Sequence, residues 1–461
     1  MKRSQYVHSV QTVPGEYALY NALTDSLSVV TEPLFQALNA GQYGEIPDAV
    51  QAELLRNGIL LQDNIDELRV MAVRHHKRKF GDRMVTSVTV LTTTACNFAC
   101  PYCYEGAPNA PATTSFTPER VLKAVEYIKR QVQRNGSKLL SLLLFGGEPL
   151  ANKPAAFQLL EELQGWCQQQ RIAFLHAIIT NGSLLDQATA DKLASHNCRM
   201  IQITVDGPKE IHDQRRVYKG GQGSFEKIME TLKLICEHPK LPRPTVRINV
   251  DRTNMDRVPE LLDELVARGL QKSSVDFGIV RAQTASCAAY SDNCYTETEL
   301  PDVLPALWKE VHARGLGQSV RPRPLPTYCG MLTDFQFSID PKGHVYKCWE
   351  HVGEERFRMG TIEDDGPGGA GYIDWMSRDP MNIPECKACD LLPVCGGGCA
   401  ATALVNHGTI HAAGCAKTKG LVHHRVWQHL ATKYPEVLQA GAFTGGTRCE
   451  EGKCGACQPS A

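Results

Sequence analysis

Residues 85–282 alternate apolar strand-like segments with amphipathic helical ones, and this alternation constrains the fold more than any other feature. Six segments have the length and β-branched content of buried strands: VTSVTVLTT, KLLSLLLF, RIAFLHAIIT, MIQITV, TVRINV and VDFGIV. One intervening helix is predicted to begin at Thr117, which precedes a proline at the first helical position. Six β/α units with right-handed crossovers predict an α/β fold whose parallel sheet curls into a partial (β/α)6 barrel.

Three cysteines, Cys96, Cys100 and Cys103, follow the first of these strands on one short segment. In barrels of this kind the reactive loops lie at the C-terminal ends of the strands, so chemistry is expected here. Three thiolates can hold three corners of a metal cluster, and this segment supplies no fourth. Zinc is the simplest explanation for clustered cysteines, but it needs four ligands. The triplet alone is therefore compatible with either a metal cluster or a zinc site.

Composition narrows the function classes. The chain has 461 residues and 18 cysteines, and 49 Lys plus Arg against 50 Asp plus Glu give a net charge of −1. No basic excess indicates a nucleic-acid partner, and the apolar runs are too short to span a bilayer. The first residues, MKRSQYVHSV, lack the apolar core of a signal peptide. We therefore expect a cytoplasmic protein whose cysteines are metal ligands or redox groups rather than disulfides.

Further motifs complete a resemblance to a known family. The Cys-x3-Cys-x2-Cys segment is followed by FGGEPL at 145–150, ITNG at 179–182, ITVDGP at 203–208 and HDQRR at 212–216. Together these segments resemble the radical SAM superfamily. The resemblance implies a [4Fe–4S] cluster on Cys96, Cys100 and Cys103, with one iron open to S-adenosylmethionine (SAM). It also implies reductive cleavage of SAM to a 5′-deoxyadenosyl radical that abstracts hydrogen.

The same resemblance assigns SAM contacts to five residues. Gly146 and Gly147 would allow close backbone approach to the methionine amino group, and Glu148 offers a carboxylate. Thr204 aligns with a hydroxyl position that contacts SAM in the family. Arg247 has two open interpretations, because it would either approach the methionine carboxylate or serve as a structural arginine.

Residues 329–420 contain a second group of cysteines. The intervals between them resemble the seven-cysteine SPASM domain, which holds two auxiliary iron–sulfur clusters. This resemblance assigns the second auxiliary [4Fe–4S] cluster to Cys386, Cys389, Cys395 and Cys415. It assigns the first to Cys329, Cys348 and Cys399.

The first auxiliary set has three ligands for four irons. Cys287, Cys294 or a cysteine of the C-terminal tail would supply the fourth, or that iron is open. An open iron would bind a substrate thiolate beside the carbon radical that captures it, which would favour thioether formation.

The remaining cysteines fall into two groups. Cys167, Cys198 and Cys236 lie in strand or helix patterns and are expected to be buried apolar residues. Residues 421–461 are predicted to form a helix and a tail that carries Cys449, Cys454 and Cys457. The spacing in the tail matches a plant-type [2Fe–2S] loop. An extra metal site, a redox-active thiol tail and a tail without a role all remain open.

Residues 1–75 precede the barrel. Three strand-like segments, two short helical patterns and a further strand predict a winged-helix-like module. The module is either a cap on the barrel or a docking site for an extended peptide that adds to a sheet edge, and we favour docking. Residues 283–328 are expected to connect the barrel to the cysteine-rich region.

The leading functional hypothesis is a maturase of a ribosomally made peptide, which would install a thioether or carbon–carbon crosslink. Its partners would be a precursor peptide or small protein and a one-electron donor such as flavodoxin or ferredoxin. Anaerobic sulfatase maturases are the nearest alternative, but they place an Asp where this chain has Trp349, directly after Cys348. An iron–sulfur electron-transfer protein that never cleaves SAM is the alternative from another class.

Overall fold

The computed structural model of the protein describes residues 1–104, 114–282, 285–318, 321–415 and 418–435. The predicted tail site at Cys449, Cys454 and Cys457 lies outside these residues.

The N-terminal region is a three-stranded antiparallel sheet followed by short helices. Its strands are β1 (Lys2–Arg3), β2 (Val7–Val13), β3 (Glu16–Asn21), β4 (Ser26–Thr31) and β5 (Leu60–Leu61), and its helices are α1 (Glu32–Ala40), α2 (Asp48–Arg56) and α3 (Glu67–His76). The sheet has the order β2-β3-β4, and β1 pairs separately with β5. The predicted strands and both predicted helices are present. The winged-helix assignment stays a prediction.

A parallel sheet forms the centre of the molecule. Its strands are β6 (Val85–Thr93), β7 (Leu139–Gly146), β8 (Ala173–Thr180), β9 (Cys198–Thr204), β10 (Thr245–Val250) and β11 (Ser274–Ile279). All six predicted strands are present, and they pair in sequence order with parallel register. The third strand begins two residues later than predicted, because Arg171 ends the preceding helix with φ 57°.

Helices follow these strands. They are α4 (Pro118–Asn135), α5 (Lys153–Gln170), α6 (Gln187–Ser195), α7 (Lys209–Arg215), α8 (Phe225–Glu237) and α9 (Val258–Ala267). The helix predicted at Thr117 begins there: the Thr117 side chain accepts a hydrogen bond from the Arg120 amide, and Gly136 ends the helix with φ 64°. One face of the helix is apolar and lies in the main core, with Val121, Val125, Ile128 and Val132 all buried.

The cysteine-rich region adds strands to the same sheet. After α10 (Leu300–Ala313) come β12 (Gln336–Ile339), β13 (His344–Tyr346) and β14 (Arg358–Thr361), and then α11 (Gly369–Ser377), α12 (Pro384–Lys387), α13 (Leu392–Cys395), α14 (Ala400–His407) and α15 (Val422–Lys433). Strand β12 pairs in parallel with β6, so the sheet has nine strands in the order β11-β10-β9-β8-β7-β6-β12-β13-β14.

Two apolar cores join regions that are distant in sequence. Phe337, Ile339 and Val345 belong to the main core of the parallel sheet. A second core packs Tyr6 and Tyr20 of the N-terminal sheet against residues of the cysteine-rich region and α15. In the described ranges, no helix combines the length and apolarity that crossing a membrane requires.

Candidate functional site

The segment with Cys96, Cys100 and Cys103 leaves the C-terminal end of β6, as predicted. It is held by short antiparallel pairing to residues 217–219: the Ala99 amide donates to Val217 O at 2.9 Å, and the Lys219 amide donates to Asn97 O at 2.9 Å. Burial raises the pKa of the Cys96 and Cys100 thiols, and Arg216 opposes this rise at both positions. A buried cation therefore lies beside the predicted cluster ligands.

The Gly146–Glu148 turn is joined to the backbone that leads into this segment. The Gly147 amide donates to Thr93 O at 3.1 Å, and the Glu148 amide donates to Ala95 O at 2.9 Å. A Cβ at Gly146 would lie 2.3 Å from Thr93 O, and one at Gly147 would lie 2.5 Å from Ala95 O. Both glycines are therefore required for the turn to approach the cysteine segment.

Glu148 is fully buried. Its carboxylate accepts hydrogen bonds from Thr180 Oγ1 at 2.7 Å, the Asn181 amide at 2.7 Å and the Leu150 amide at 3.0 Å. Burial raises its pKa, and the hydrogen bonds from Asn181 and Thr180 oppose that shift. The carboxylate thus fastens the end of β7 to the end of β8. Its predicted contact with SAM stays a prediction.

Thr204 and Arg247 are neighbours on adjacent strands, since they pair in register between β9 and β10. Thr204 is 8% exposed. The Arg247 guanidinium forms an ion pair with Asp276 on β11 and donates to Asn249 Oδ1 at 3.3 Å. These contacts are the ones expected of a structural arginine, and the predicted contact with the methionine carboxylate stays a prediction.

Tyr102 of the cysteine segment belongs to a buried polar network that the sequence did not predict. Tyr102 donates a hydrogen bond to Asp206, and Arg216 Nη1 donates to Tyr102 Oη at 2.9 Å. Arg215 Nη1 donates to Asp251 Oδ2 at 2.7 Å, and its guanidinium lies over the Tyr102 ring at 4.9 Å. The sequence signal was the position of Asp206 and Asp251 at the ends of β9 and β10, where side chains of parallel strands converge.

The cysteines of residues 329–415 have one another as electrostatic neighbours. Burial raises the pKa of Cys386 and Cys395 to about 12, and Cys415 and Cys389 raise both further. Cys329 is an exposed residue, but desolvation of its thiol raises its pKa to about 11, with Cys399 as the next contribution.

Cys348 is another of these cysteines. Burial raises the pKa of the Cys348 thiol, and Cys329 and Cys399 are among its electrostatic neighbours. The division of these cysteines into two cluster sites stays a prediction.

Three consecutive glycines separate Cys395 from Cys399. Gly396, Gly397 and Gly398 all have positive φ, between 59° and 86°. A Cβ at Gly398 would lie 2.0 Å from Gly414 O, because the segment before Cys415 runs alongside. The glycine segment thus brings cysteines of both predicted cluster sites together.

The thiols are neighbours without forming a site for a single ion. In the described part of the chain, no His, Cys, Asp and Glu side chains are grouped closely enough to hold one metal ion. Thiolates around one Zn²⁺ lie about 4 Å apart, because each Zn–S bond is about 2.3 Å long. A cubane places each ligand on a different iron and so needs a wider arrangement. Thiols are the ligands that iron–sulfur clusters use, and these cysteines have one another as electrostatic neighbours.

The remaining cysteines differ in position. Cys167 and Cys198 are 0% and 5% exposed, as predicted, but Cys236 is only half-buried and lies 3.7 Å from Ser273 Oγ. The prediction of burial is therefore wrong for Cys236, because its thiol reaches a polar rim of the core. Cys294 has Asp251, Cys287 and Arg252 as electrostatic neighbours, which places it at the end of β10.

Part of the chain matches a known family. Residues 90–265 match the model of the Radical SAM superfamily. They run from β6 into α9 and include the cysteine segment and the glycine turn. This part of the chain is therefore similar to a radical SAM domain.

Individual relatives are named as a cyclopropyl synthase and as sulfatase-maturating enzymes. The radical SAM cyclopropyl synthase TigE of Paramaledivibacter caminithermalis is 21% identical over 88% of this chain and 91% of its own length. The cysteine-type anaerobic sulfatase-maturating enzyme of Clostridium perfringens is 25% identical over 67% of this chain and 86% of its own.

Two solved structures share the fold. Native anSMEcpe with bound AdoMet superposes with a TM-score of 0.59 and 17% identity, over 77% of this chain and 98% of that one. Streptococcus suis SuiB bound to precursor peptide SuiA superposes with a TM-score of 0.51 and 15% identity, over 91% of this chain and 99% of that one.

Proposed function

We propose that the protein cleaves SAM to a 5′-deoxyadenosyl radical and uses it to modify a ribosomally made peptide by thioether or carbon–carbon crosslinking. The observation that carries the proposal is the junction of the Gly146–Glu148 turn with the cysteine segment at the end of β6. Cys96, Cys100 and Cys103 would hold a [4Fe–4S] cluster, which supplies the electron for SAM cleavage when bound. Gly146, Gly147 and Thr204 would position SAM.

The peptide would dock on the N-terminal sheet. Strand β4 is an edge strand, and no strand of the described residues pairs with its outer side. Val29, at its centre, is 45% exposed. An extended peptide can add to such an edge through backbone hydrogen bonds. SuiB, whose structure was solved with its precursor peptide, supports a peptide substrate.

Two auxiliary [4Fe–4S] clusters would complete the enzyme. Cys386, Cys389, Cys395 and Cys415 would hold one of them. Cys329, Cys348 and Cys399 would hold the other, and Cys294 lies with the end of β10 rather than with this group. This placement argues against Cys294 as the fourth ligand. Cys287 stays a candidate, because its thiol lies 3.6 Å from Arg281 O and Arg281 has Cys399 as an electrostatic neighbour. An open fourth iron that receives a substrate thiolate is the alternative. An external one-electron donor such as flavodoxin or ferredoxin would reduce the protein.

Formylglycine formation is the second candidate function, supported by the relationship to sulfatase maturases. The position directly after Cys348 counts against it, because Trp349 has no proton-accepting carboxylate and its ring packs against Phe145 at 5.5 Å. Glu350 is an electrostatic neighbour of Arg281 and would have to act from there.

Mass spectrometry of candidate peptides, incubated with the reconstituted enzyme, SAM and dithionite, tests the proposal. Crosslinking predicts loss of hydrogen with every sulfur and oxygen retained. Replacement of cysteine sulfur by oxygen, or loss of two hydrogens at a serine that leaves a hydrazide-reactive aldehyde, would identify a formylglycine product instead. If a precursor peptide returns unmodified while 5′-deoxyadenosine accumulates, the peptide assignment is contradicted and the radical assignment stands.

A further inference from the structure

Three cationic side chains are buried near the two predicted cysteine groups of residues 329–415. Lys79, Lys347 and Arg378, here called the cation trio, are 3%, 0% and 1% exposed. Lys79 lies in a π-helical turn before β6, Lys347 precedes Cys348, and Arg378 follows α11. They come from distant parts of the chain and meet inside the protein.

Within the described ranges, the charged groups of the trio donate to backbone carbonyls. Lys79 Nζ donates to Arg378 O at 2.6 Å, and Lys347 Nζ donates to Thr333 O at 2.5 Å and Gln336 O at 2.7 Å. Arg378 donates to Ala412 O at 2.9 Å and Gly397 O at 2.7 Å, and its buried Nε has no hydrogen-bond partner among the described residues.

Among the described residues, no carboxylate forms an ion pair with the trio, but two acids act on its lysines. Burial lowers the pKa of Lys79 to about 8 and that of Lys347 to about 7, while Asp379 raises the pKa of Lys79 and Asp334 raises that of Lys347. The Arg378 guanidinium is the member of the trio whose electrostatic neighbours are thiols. Burying a charge without a counter-charge is strongly unfavourable, so Arg378 above all needs negative charge from these thiols.

The candidate source is the thiolates. Cys329, Cys386, Cys395 and Cys399 are all electrostatic neighbours of the Arg378 guanidinium. Arg378 also binds the carbonyls of the glycine segment that links Cys395 to Cys399, so it touches the backbone between the two groups. Lys347 has Cys329 as a neighbour and adjoins Cys348 in sequence.

We propose that the cation trio raises the reduction potentials of the two auxiliary clusters, with Arg378 acting on both. The inference rests on the proposed function, which assigns these cysteines to clusters. Each one-electron reduction adds a negative charge to a thiolate-ligated cluster, and a buried cation stabilises the reduced form more than the oxidised form. Low dielectric inside the protein makes this effect larger than any exposed cation could produce.

EPR-monitored redox titration of the reconstituted full chain tests the proposal, with iron measured for every variant. Arg378→Gln and Lys347→Met remove charge, Arg378→Lys retains it, and Lys387→Gln removes an exposed cation next to Cys386. We expect lower auxiliary potentials in the first two variants and a smaller shift in Arg378→Lys. Lys387→Gln should leave the potentials unchanged, and the cluster on Cys96, Cys100 and Cys103 should not shift in any variant.

The outcomes separate this inference from the proposed function. Unchanged auxiliary potentials in fully loaded Arg378→Gln and Lys347→Met would overturn the inference. If Arg378→Gln does not retain its iron, Lys347→Met and Lys79→Met decide: a lowered potential supports the trio, and an unchanged one refutes it. Wild-type protein with about four irons per chain, instead of about twelve, would refute the auxiliary clusters themselves.

Discussion

At the scale of single residues, the geometry of the candidate radical site depends on glycines, which have no side chain. Gly147 has no Cβ, and this absence lets the turn after β7 lie against the carbonyls of Thr94 and Ala95. The backbone that leads into the predicted cluster ligands is therefore positioned by a glycine on another strand. The sequence pattern predicted close backbone approach here. The structure adds that the turn approaches the chain's own cysteine segment.

Gly147→Ala should consequently displace the cysteine segment. The added Cβ would lie 2.5 Å from Ala95 O, so the segment must move. We expect loss of SAM cleavage and a fall in iron from about twelve to about eight per chain. Gly165→Ala is the matched control, because a Cβ there meets nothing within 4 Å and the residue lies inside α5. Equal iron content in both variants would contradict the positioning role.

His176 on β8 should make stability fall at acid pH. Burial lowers its pKa from 6.5 to about 4, although its Nε2 lies 3.0 Å from Leu193 O. Between pH 6.5 and pH 4, the His176 imidazole is protonated in the unfolded chain and neutral in the folded protein. The free energy of unfolding therefore decreases as the pH falls from 6.5 towards 4.

The expected slope from this one group is about 1.4 kcal/mol per pH unit. Denaturant unfolding of wild-type protein and His176→Gln across this range measures it. In the variant, the free energy of unfolding should fall less steeply with decreasing pH, by that amount. An equal pH dependence of the free energy of unfolding in the two proteins would show that His176 does not cause the loss of stability.

The network of Tyr102, Asp206 and Arg216 was not predictable in detail. The motifs that contain these residues were recognised, but three segments far apart in sequence have to meet before their partners are defined. A sequence pattern locates strand ends, whereas the hydrogen bonds between those ends depend on side-chain packing. For the same reason the sequence could not decide whether Arg247 contacts SAM or is a structural arginine. Its ion pair with Asp276, which is typical of a structural arginine, becomes apparent only in the folded structure.

At the scale of elements, β4 is the strand on which the proposed peptide docking depends. Val29→Asp should weaken precursor-peptide binding at least about tenfold, because a charge on an edge strand disfavours added pairing. Fluorescence anisotropy with a labelled peptide measures the change. Val73→Asp is the control, since Val73 on α3 is also exposed, at 68%. Equal affinities for the two variants would mean that the peptide binds elsewhere.

The sequence predicted the six strands β6–β11 because each has a buried apolar pattern of sufficient length. It did not predict β12, β13 and β14, which have only three or four residues each. Such short strands form because β12 pairs with β6, more than 240 residues earlier in the chain. Local propensity carries no information about that pairing. Helix α10 was likewise not anticipated within the connecting region.

At the scale of the whole molecule, the predicted regions share cores. Tyr6, Val10 and Tyr20 of the N-terminal sheet pack with Leu392 and Val426. Deleting residues 1–75 would therefore expose apolar surface next to a predicted auxiliary cluster, in addition to removing a docking site. Substitution on β4 separates these two effects. The sequence could not show this arrangement, because each region alone has a plausible pattern of its own.

The central claim is that Cys96, Cys100 and Cys103 make this chain a SAM-cleaving enzyme. The most direct measurement is 5′-deoxyadenosine formed by reconstituted protein with SAM and dithionite, together with iron content. Replacing all three cysteines with Ala should abolish the product and lower iron from about twelve to about eight per chain. Cys236→Ala, away from both cysteine regions, should change neither quantity. Undiminished 5′-deoxyadenosine from the triple variant would contradict the account.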